Sequence, residues 1–325
     1  MPLKTKDFIA LDWGTSSLRA FLMDTNGNEL EERNSTHGIQ HLPEPGAAGF
    51  LRALHEICGD WLVENTARPL VASGMVGSAQ GWAEAPYAKC PADLNTLATQ
   101  AGSVVLPDNR KLHIVPGVLL NSADALPDVM RGEETQIMGA LAGQPVWTDN
   151  AVVVLPGTHS KWALVRQGTI ERFTTYMTGE VFATLRQHSI LGRLMQDAPA
   201  TPDAANAAFK AGLEIAKAGQ AGDLLNQLFT ARSMGLTQRI EHSALSDYLS
   251  GMLIGNELVS AIAKMQLDQP QSPALLIIGN DTLVARYRQA FEIMGLTCAA
   301  HFNNTAPQGL YHFALERGLV KQMDK

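Results

Sequence analysis

The chain has 325 residues, 46% apolar and 18% charged, enough for two cores of ordinary domain size and unlike a disordered polymer. With 25 Lys and Arg against 32 Asp and Glu the formal charge is −7, which argues against a nucleic-acid partner, since phosphate neutralisation needs clustered cations. The three cysteines, Cys58, Cys90 and Cys298, lie far apart and outside any CxxC spacing. That pattern suits reduced thiols in a cytoplasmic protein, not a zinc site.

The first residues run straight into a strand pattern without the apolar core of a signal peptide, and no apolar stretch is long enough to span a bilayer. Phe8-Ile9-Ala10-Leu11 is a short apolar run ending at Asp12-Trp13-Gly14, and Leu18, Ala20 and Leu22 alternate into a second strand. Thr25-Asn26-Gly27-Asn28 supplies hairpin-turn chemistry before a third strand over 29–34. Helical spacing follows over 48–66, carried by Phe50, Leu51, Leu54, Ile57, Trp61 and Leu62. Pro69–Gly74 and Leu112–Gly117 read as strands ending in glycine, and 132–142 as a helix. Ala151–Leu155 opens a second strand block. Residues 180–195 and 203–234 read as mainly helical, 245–265 as a helix, Ala274–Gly279 as a buried strand, and Gln308–Val320 as a last helix expected on the first lobe. Strands alternating with helices indicate an α/β fold.

An internal repeat organises this pattern. Phe8–Asp24 and Val152–Arg166 both carry an apolar strand, then G-T-x-S-x-x-A, then a second strand. Gly14, Thr15, Ser17 and Ala20 of the first copy correspond to Gly157, Thr158, Ser160 and Ala163 of the second, an offset of 157 − 14 = 143 residues. Two related lobes are therefore expected, residues 1–145 and 146–325. A glycine lets backbone approach an anion, and successive N–H groups with Thr and Ser hydroxyls make a phosphate-sized concavity. Two such loops facing each other across a cleft would grip a triphosphate from both sides. Taken singly, each loop reads equally as an ordinary tight turn.

At these residues the chain resembles the actin-like ATPase and sugar-kinase superfamily, with Asp12-Trp13-Gly14-Thr15-Ser16-Ser17 as the first phosphate motif and Pro156-Gly157-Thr158-His159-Ser160-Lys161 as the second. Within it, the chain is similar to the 2-dehydro-3-deoxygalactonokinases through GMVGSAQGWAEAPY (74–87), VMRGEETQIMGA (129–140), TGE (178–180), LSGMLIGNE (249–257) and GLYHFALERG (309–318). The resemblance implies a two-lobed actin-like ATPase fold, ribonuclease H-like, with duplicated β-hairpin phosphate loops. It also implies transfer of the ATP γ-phosphoryl group to the 6-hydroxyl of 2-dehydro-3-deoxy-D-galactonate, with Mg²⁺, in galactonate catabolism.

The resemblance and the residue chemistry together nominate the site. Asp12 is expected to hold Mg²⁺ through water or, in the plainer reading, to cap its turn. Gly14, Thr15 and Ser16 would meet the β- and γ-phosphates, and Gly157 and Thr158 would do so from the second loop. Lys161 either pairs with phosphate or is solvated. Arg19, carried among the substrate residues, either approaches phosphate or faces solvent. The second loop has Leu155 where the first has Asp12, so a second acid is not expected there.

Arg131 is the candidate for the substrate carboxylate, and Glu134, with Glu133 beside it, for the base that accepts the hydroxyl proton. Acids in a first helical turn also complement the helix dipole. Met75, Val76, Gly77, Ser78 and Trp82 would shape the sugar-acid pocket, although a tryptophan is more often core. Gly279 is placed at the adenosine, with a plain strand-to-helix turn as the alternative. ATP and a small sugar acid are the expected partners, with a homodimer left open. A phosphoanhydride hydrolase on the same fold and an ATP-dependent scaffold are the competing functions; the chain has no HExxH, GxSxG or Walker A motif to suggest another chemistry.

Overall fold

The computed structural model describes residues 7–123, 126–220 and 222–322. Contacts divide it into two units. Unit 1 comprises residues 1–150, 165–173 and 304–325, and unit 2 residues 151–164 and 174–303, so the units are not two contiguous halves of the chain.

Unit 1 is built on β1 (Asp7–Trp13), β2 (Leu18–Asp24), β3 (Glu29–Ser35), β4 (Leu70–Ser73), β6 (Gly102–Val105) and β7 (Lys111–Ile114), with β5 (Tyr87–Lys89) between β4 and β6 in the chain. These form a six-stranded sheet in the order β3-β2-β1-β4-β7-β6, in which β1, β4 and β7 run parallel. Strand β1 is buried on both faces. Ile9, Leu11 and Trp13 pack with Phe50, Leu54, Ile57 and Trp61 of α1 (Gly46–Glu64), whose spacing puts them on one helical stripe. On the other face Phe8 stacks on Tyr311 of α10 (Ala306–Glu316), ring centroids 6.3 Å apart.

After α2 (Leu94–Thr99), the strands β8 (Gly117–Leu120) and β9 (Asp128–Met130) join β5 in a three-stranded sheet. Runs of three or four residues leave too short a pattern to read, and this sheet was not foreseen. The helix α3 (Glu133–Ala142) meets α10 through glycines: a Cβ on Gly139 would stand 2.0 Å from the Thr305 carbonyl oxygen, and one on Gly309 1.9 Å from that of Thr135. The last helix thus packs on unit 1 as expected. The short α4 (Pro145–Asp149) leads out of α3.

A second sheet repeats the plan. Strands β10 (Asn150–Leu155), β11 (Ser160–Arg166), β12 (Thr169–Tyr176), β13 (Ala274–Ile278) and β14 (Cys298–Phe302) form a sheet in the order β12-β11-β10-β13-β14. That order matches β3-β2-β1-β4-β7 strand for strand, with β10, β13 and β14 parallel. The expected helical stretches resolve into α5 (Thr178–His188), a single turn at Gly192–Leu194, α6 (Pro202–Ala218), α7 (Leu224–Leu236), α8 (Leu245–Met265) and α9 (Asp281–Met294). The 203–234 stretch breaks because Gly219 ends α6. Helices α6 and α8 pack closely through Gly212, Gly251 and Gly255.

Candidate active site

The first hairpin carries an ion pair. Asp12 and Arg19 face each other across β1 and β2, and Arg19 Nη2 donates to Asp12 Oδ2 at 2.6 Å. Arg19 is thus tied to Asp12 through one of its five N–H donors, its side chain 35% exposed. Burial pushes the Asp12 carboxyl above its usual range, with Arg19 opposing the shift. The turn closes through Gly14 N–H to the Ser17 carbonyl, 2.9 Å, leaving Thr15 and Ser16 exposed. Its back rests on the segment after β3: Ile39 N–H donates to Gly14 O, Gln40 N–H to Thr15 O, and Trp13 Nε1 to His37 O. Gly38 is required for that approach, since a Cβ there would sit 2.4 Å from Ser17 N. This support was not read from the sequence.

Ser73 ends β4 in register with Asp12, so the two side chains share a sheet face. It is 1% exposed and its hydroxyl has no hydrogen-bond partner. Gly74 follows at φ 92°, where a Cβ would meet the Trp13 carbonyl oxygen at 2.7 Å. Met75, Val76 and Gly77 form one tight turn, and Ser78 spends both its hydroxyl and its N–H on Met75 O. The donors of Ser78 and the Gly77 N–H, bonded to Gly74 O, are thus satisfied within the segment. Trp82 stacks on Phe50 at 5.6 Å and also lines a cavity of about 470 Å³ with Gln40, Leu42, Gln80 and Gly81.

Glu134 opens α3 wholly buried, and both of its oxygens accept from Gly132 N–H, at 2.9 and 2.7 Å. Thr135 Oγ1 adds a third bond. Burial, with Glu133 nearby, pushes Glu134 up to about 8. Glu133 is half-buried and accepts from Arg131 N–H at 3.0 Å. Gly132, at φ 108°, brings this turn against Gly74: its Cβ would lie 3.2 Å from the Gly74 Cα. Arg131 points inward, donating Nη2 to Ala85 O at 2.8 Å and lying 4.3 Å above the Tyr87 ring, with Nε and Nη1 buried and unpartnered.

In the second hairpin Gly157, His159 and Thr158 stay accessible while Ser160 is fully buried and Lys161 is 5% exposed, so this lysine is not solvated. The hairpin is joined to the start of α5. Glu180 N–H donates to Thr158 O at 3.0 Å, and a Cβ on Gly179 would fall 2.4 Å from Gly157 O. Behind both stands Glu257 of α8, 3% exposed. Its Oε1 accepts from Ser160 Oγ and Trp162 Nε1, each 2.7 Å, and its Oε2 from Tyr287 OH at 2.8 Å and from Thr178 Oγ1. The sequence signal was a lone acid in the apolar pattern of 249–257, to which no role was given.

A cavity of about 270 Å³ adjoins this hairpin within unit 2. Gly157, Gly179, Ser250, Thr282, Arg286 and Tyr287 contribute to its wall, and Arg286 is ion-paired with Asp247 there. Gly279 does not line it. Its N–H bonds Phe302 O, and Asn280 caps α9 by accepting from Leu283 N–H at 3.0 Å.

Doubled sheets of one strand order, each with a Gly-Thr-x-Ser hairpin, define the fold of actin-like ATPases and sugar kinases. The A component of (R)-2-hydroxyglutaryl-CoA dehydratase from Acidaminococcus fermentans shares that fold at a TM-score of 0.50 and 12% identity, over 98% of this chain and all of the other. Much nearer is a Sinorhizobium meliloti crystal structure, provisionally assigned as a 2-dehydro-3-deoxygalactonokinase, with a TM-score of 0.78 and 32% identity over 95% of this chain and 97% of that one. The 2-dehydro-3-deoxygalactonokinase of Escherichia coli K12 is 36% identical over 304 residues, 94% of this chain and 96% of its own. The sequence profile of the 2-keto-3-deoxy-galactonokinase family matches residues 12–313, and the chain belongs to that family of phosphotransferases.

Proposed function

We propose that this chain transfers the γ-phosphoryl group of ATP to the 6-hydroxyl of 2-dehydro-3-deoxy-D-galactonate, giving the 6-phosphate and ADP, as a cytoplasmic step in galactonate catabolism. The observation that carries this reading is the Gly-Thr-x-Ser turn at the same place in two sheets of the same strand order, in a chain of a sugar-acid kinase family. Among the described residues no helix is long and apolar enough to cross a membrane.

Phosphoryl transfer asks mainly for positioning and charge stabilisation. Exposed Thr15 and Ser16 in unit 1, and Gly157 and Thr158 in unit 2, supply hydroxyls and N–H groups for phosphate oxygens. The 270 Å³ cavity beside Gly157 takes the adenosine, and the surroundings of Ser73, Gly74 and Trp82 take the sugar acid. Glu134 accepts the proton of the 6-hydroxyl, and Glu133 is the substitute if it does not.

The residues present fit Mg²⁺. This ion is usually held by one or two carboxylates, water and substrate phosphate, and Asp12 is one carboxylate at the loop. Among the described residues no group of three His, Cys, Asp or Glu offers a denser site. When bound, the ion would offset phosphate charge, while Arg19 keeps the Asp12 carboxylate in place.

The test is ADP release with Mg-ATP across 2-dehydro-3-deoxygalactonate, its gluconate epimer, related keto acids and a blank without sugar acid. Release that depends on the galactonate compound is expected. Equal release in the blank would replace the kinase with a phosphoanhydride hydrolase.

A further inference from the structure

The Glu257 carboxylate has no cation beside it among its hydrogen-bond partners, yet it is 3% exposed. An isolated buried carboxylate is costly, and a carboxylate has about four lone-pair sites to satisfy. Here four neutral donors fill them: Ser160 Oγ, Trp162 Nε1, Thr178 Oγ1 and Tyr287 OH. Those donors come from three elements, β11, α5 and α9. Ser160 closes the second phosphate turn, Thr178 starts α5, and Tyr287 belongs to α9. Thr178 and Tyr287 also line the 270 Å³ cavity, whereas Glu257 and Ser160 do not.

We infer that Glu257 is a positioning residue for nucleotide binding: it ties the second phosphate turn to the start of α5 and to α9, and so sets the shape of the cradle for the ATP phosphates. This rests on the kinase reading above. The corresponding serine of the first hairpin, Ser17, is exposed and bonded to no such acid, so the tie is specific to the second loop. Without it, the Gly157–Gly179 contact and the Glu180 N–H to Thr158 O bond would have to hold the turn alone.

Geometry, not charge, is what this role requires. A glutamine at 257 can still accept at one end, from Ser160 and Trp162. At the other end it can donate to the Tyr287 and Thr178 oxygens, because hydroxyls serve as either partner. An alanine leaves four donors buried and unpaired.

The experiment measures KM for ATP, KM for the sugar acid, kcat and Tm for the full chain and for Glu257→Ala, Glu257→Gln and Ser160→Ala. Expected are a rise in KM for ATP of about tenfold or more in Glu257→Ala, the sugar-acid KM within about twofold of the parent, and Glu257→Gln within about threefold on every constant; tenfold is about 1.4 kcal/mol. Should Glu257→Ala fail to fold, Ser160→Ala decides. Ser160 is fully buried and cannot touch nucleotide, so a rise of about threefold or more in its KM for ATP must act through the turn.

An unchanged KM for ATP in Ser160→Ala, or a Glu257→Ala protein that loses only Tm and active fraction, would overturn the inference. So would a Glu257→Gln variant as impaired as the alanine. If the parent chain itself shows no release dependent on the sugar acid, it is the kinase reading that fails. Direct titration with Mg-ADP then still tests whether Glu257 governs nucleotide affinity.

Discussion

The two hairpins share one turn sequence but are held in opposite ways. In unit 1 the acid lies within the hairpin: Asp12 on β1 is paired with Arg19 on β2 at 2.6 Å, and the serine of the turn is exposed. In unit 2 the positions 143 residues later are Leu155 and Trp162, both buried, and the serine is sequestered. The acid there arrives from outside the hairpin, as Glu257 of α8. Each unit also buries one helix glutamate with different partners. Glu134 is met mainly by a backbone N–H, Glu257 by four side-chain donors. A repeated turn therefore does not imply a repeated role. The first hairpin keeps a charged carboxylate at the loop, where an ion and phosphate can use it, and the second keeps its loop apolar behind and shaped by a remote acid.

The largest effect expected on that contrast is at Glu134. Glu134→Gln should spare ATP binding and cut kcat by ~10²–10⁴-fold, the scale of a general base. Near-normal turnover would move the role to Glu133. Because burial pushes Glu134 up to about 8, kcat/KM should rise with pH through that region, as the carboxylate that accepts the proton forms. Stability runs the other way. The folded state holds this proton more tightly than the unfolded chain, whose glutamate titrates near 4.5. The stabilisation is complete below that value and is lost as pH rises from there through about 8. Glu134→Gln should therefore flatten the fall of Tm with pH over that window, which thermal melts at pH 5 to 9 would show.

Exchanging the acids tests the contrast directly. Leu155→Asp places the first loop's acid in the second without an arginine opposite, at a position 6% exposed. An unpaired buried charge costs about 3–5 kcal/mol, so urea unfolding should show a loss of that size. A loss below about 1 kcal/mol would mean the second hairpin tolerates a charge as the first does. The converse, Asp12→Asn, should lower kcat about 10²–10³-fold, as removal of one electrostatic group commonly does. Its effect on Tm should be small, because the desolvation of Asp12 opposes the gain from its ion pair.

The repeat was legible because both copies keep glycine, threonine and serine at one spacing between apolar strands, and topology follows from that spacing. Helix α8 was legible for a similar reason: twenty-one residues keep their apolar face without a proline. What the pattern did not carry was partnership. Arg19 could be read as phosphate-facing or solvated, and only the β1–β2 register sets it opposite Asp12. Arg131 was nominated for a carboxylate, but its place over Tyr87, with Nε and Nη1 buried and unpartnered, depends on a three-stranded sheet made of strands too short to announce themselves. Gly279 was placed at the adenosine by resemblance, and it does not line the 270 Å³ cavity, to which Thr282, Arg286 and Tyr287 of α9 contribute. Glu257 stayed silent because its four partners are spread from residue 160 to residue 287.

The smallest effect belongs to the surface of the second hairpin. His159 Nε2 and Glu180 Oε2 lie 2.5 Å apart, with side chains 48% and 46% exposed. Exposed pairs of this kind contribute about 0–1 kcal/mol, and the backbone bond from Glu180 N–H to Thr158 O does not depend on either side chain. His159→Ala should therefore shift Tm by no more than about 2–4 °C and leave KM for ATP near its parent value. Calorimetry and an ATP titration would check both. A large rise in KM from this substitution would mean the second turn is shaped from its exposed side. It would take from Glu257 the task that separates the two hairpins.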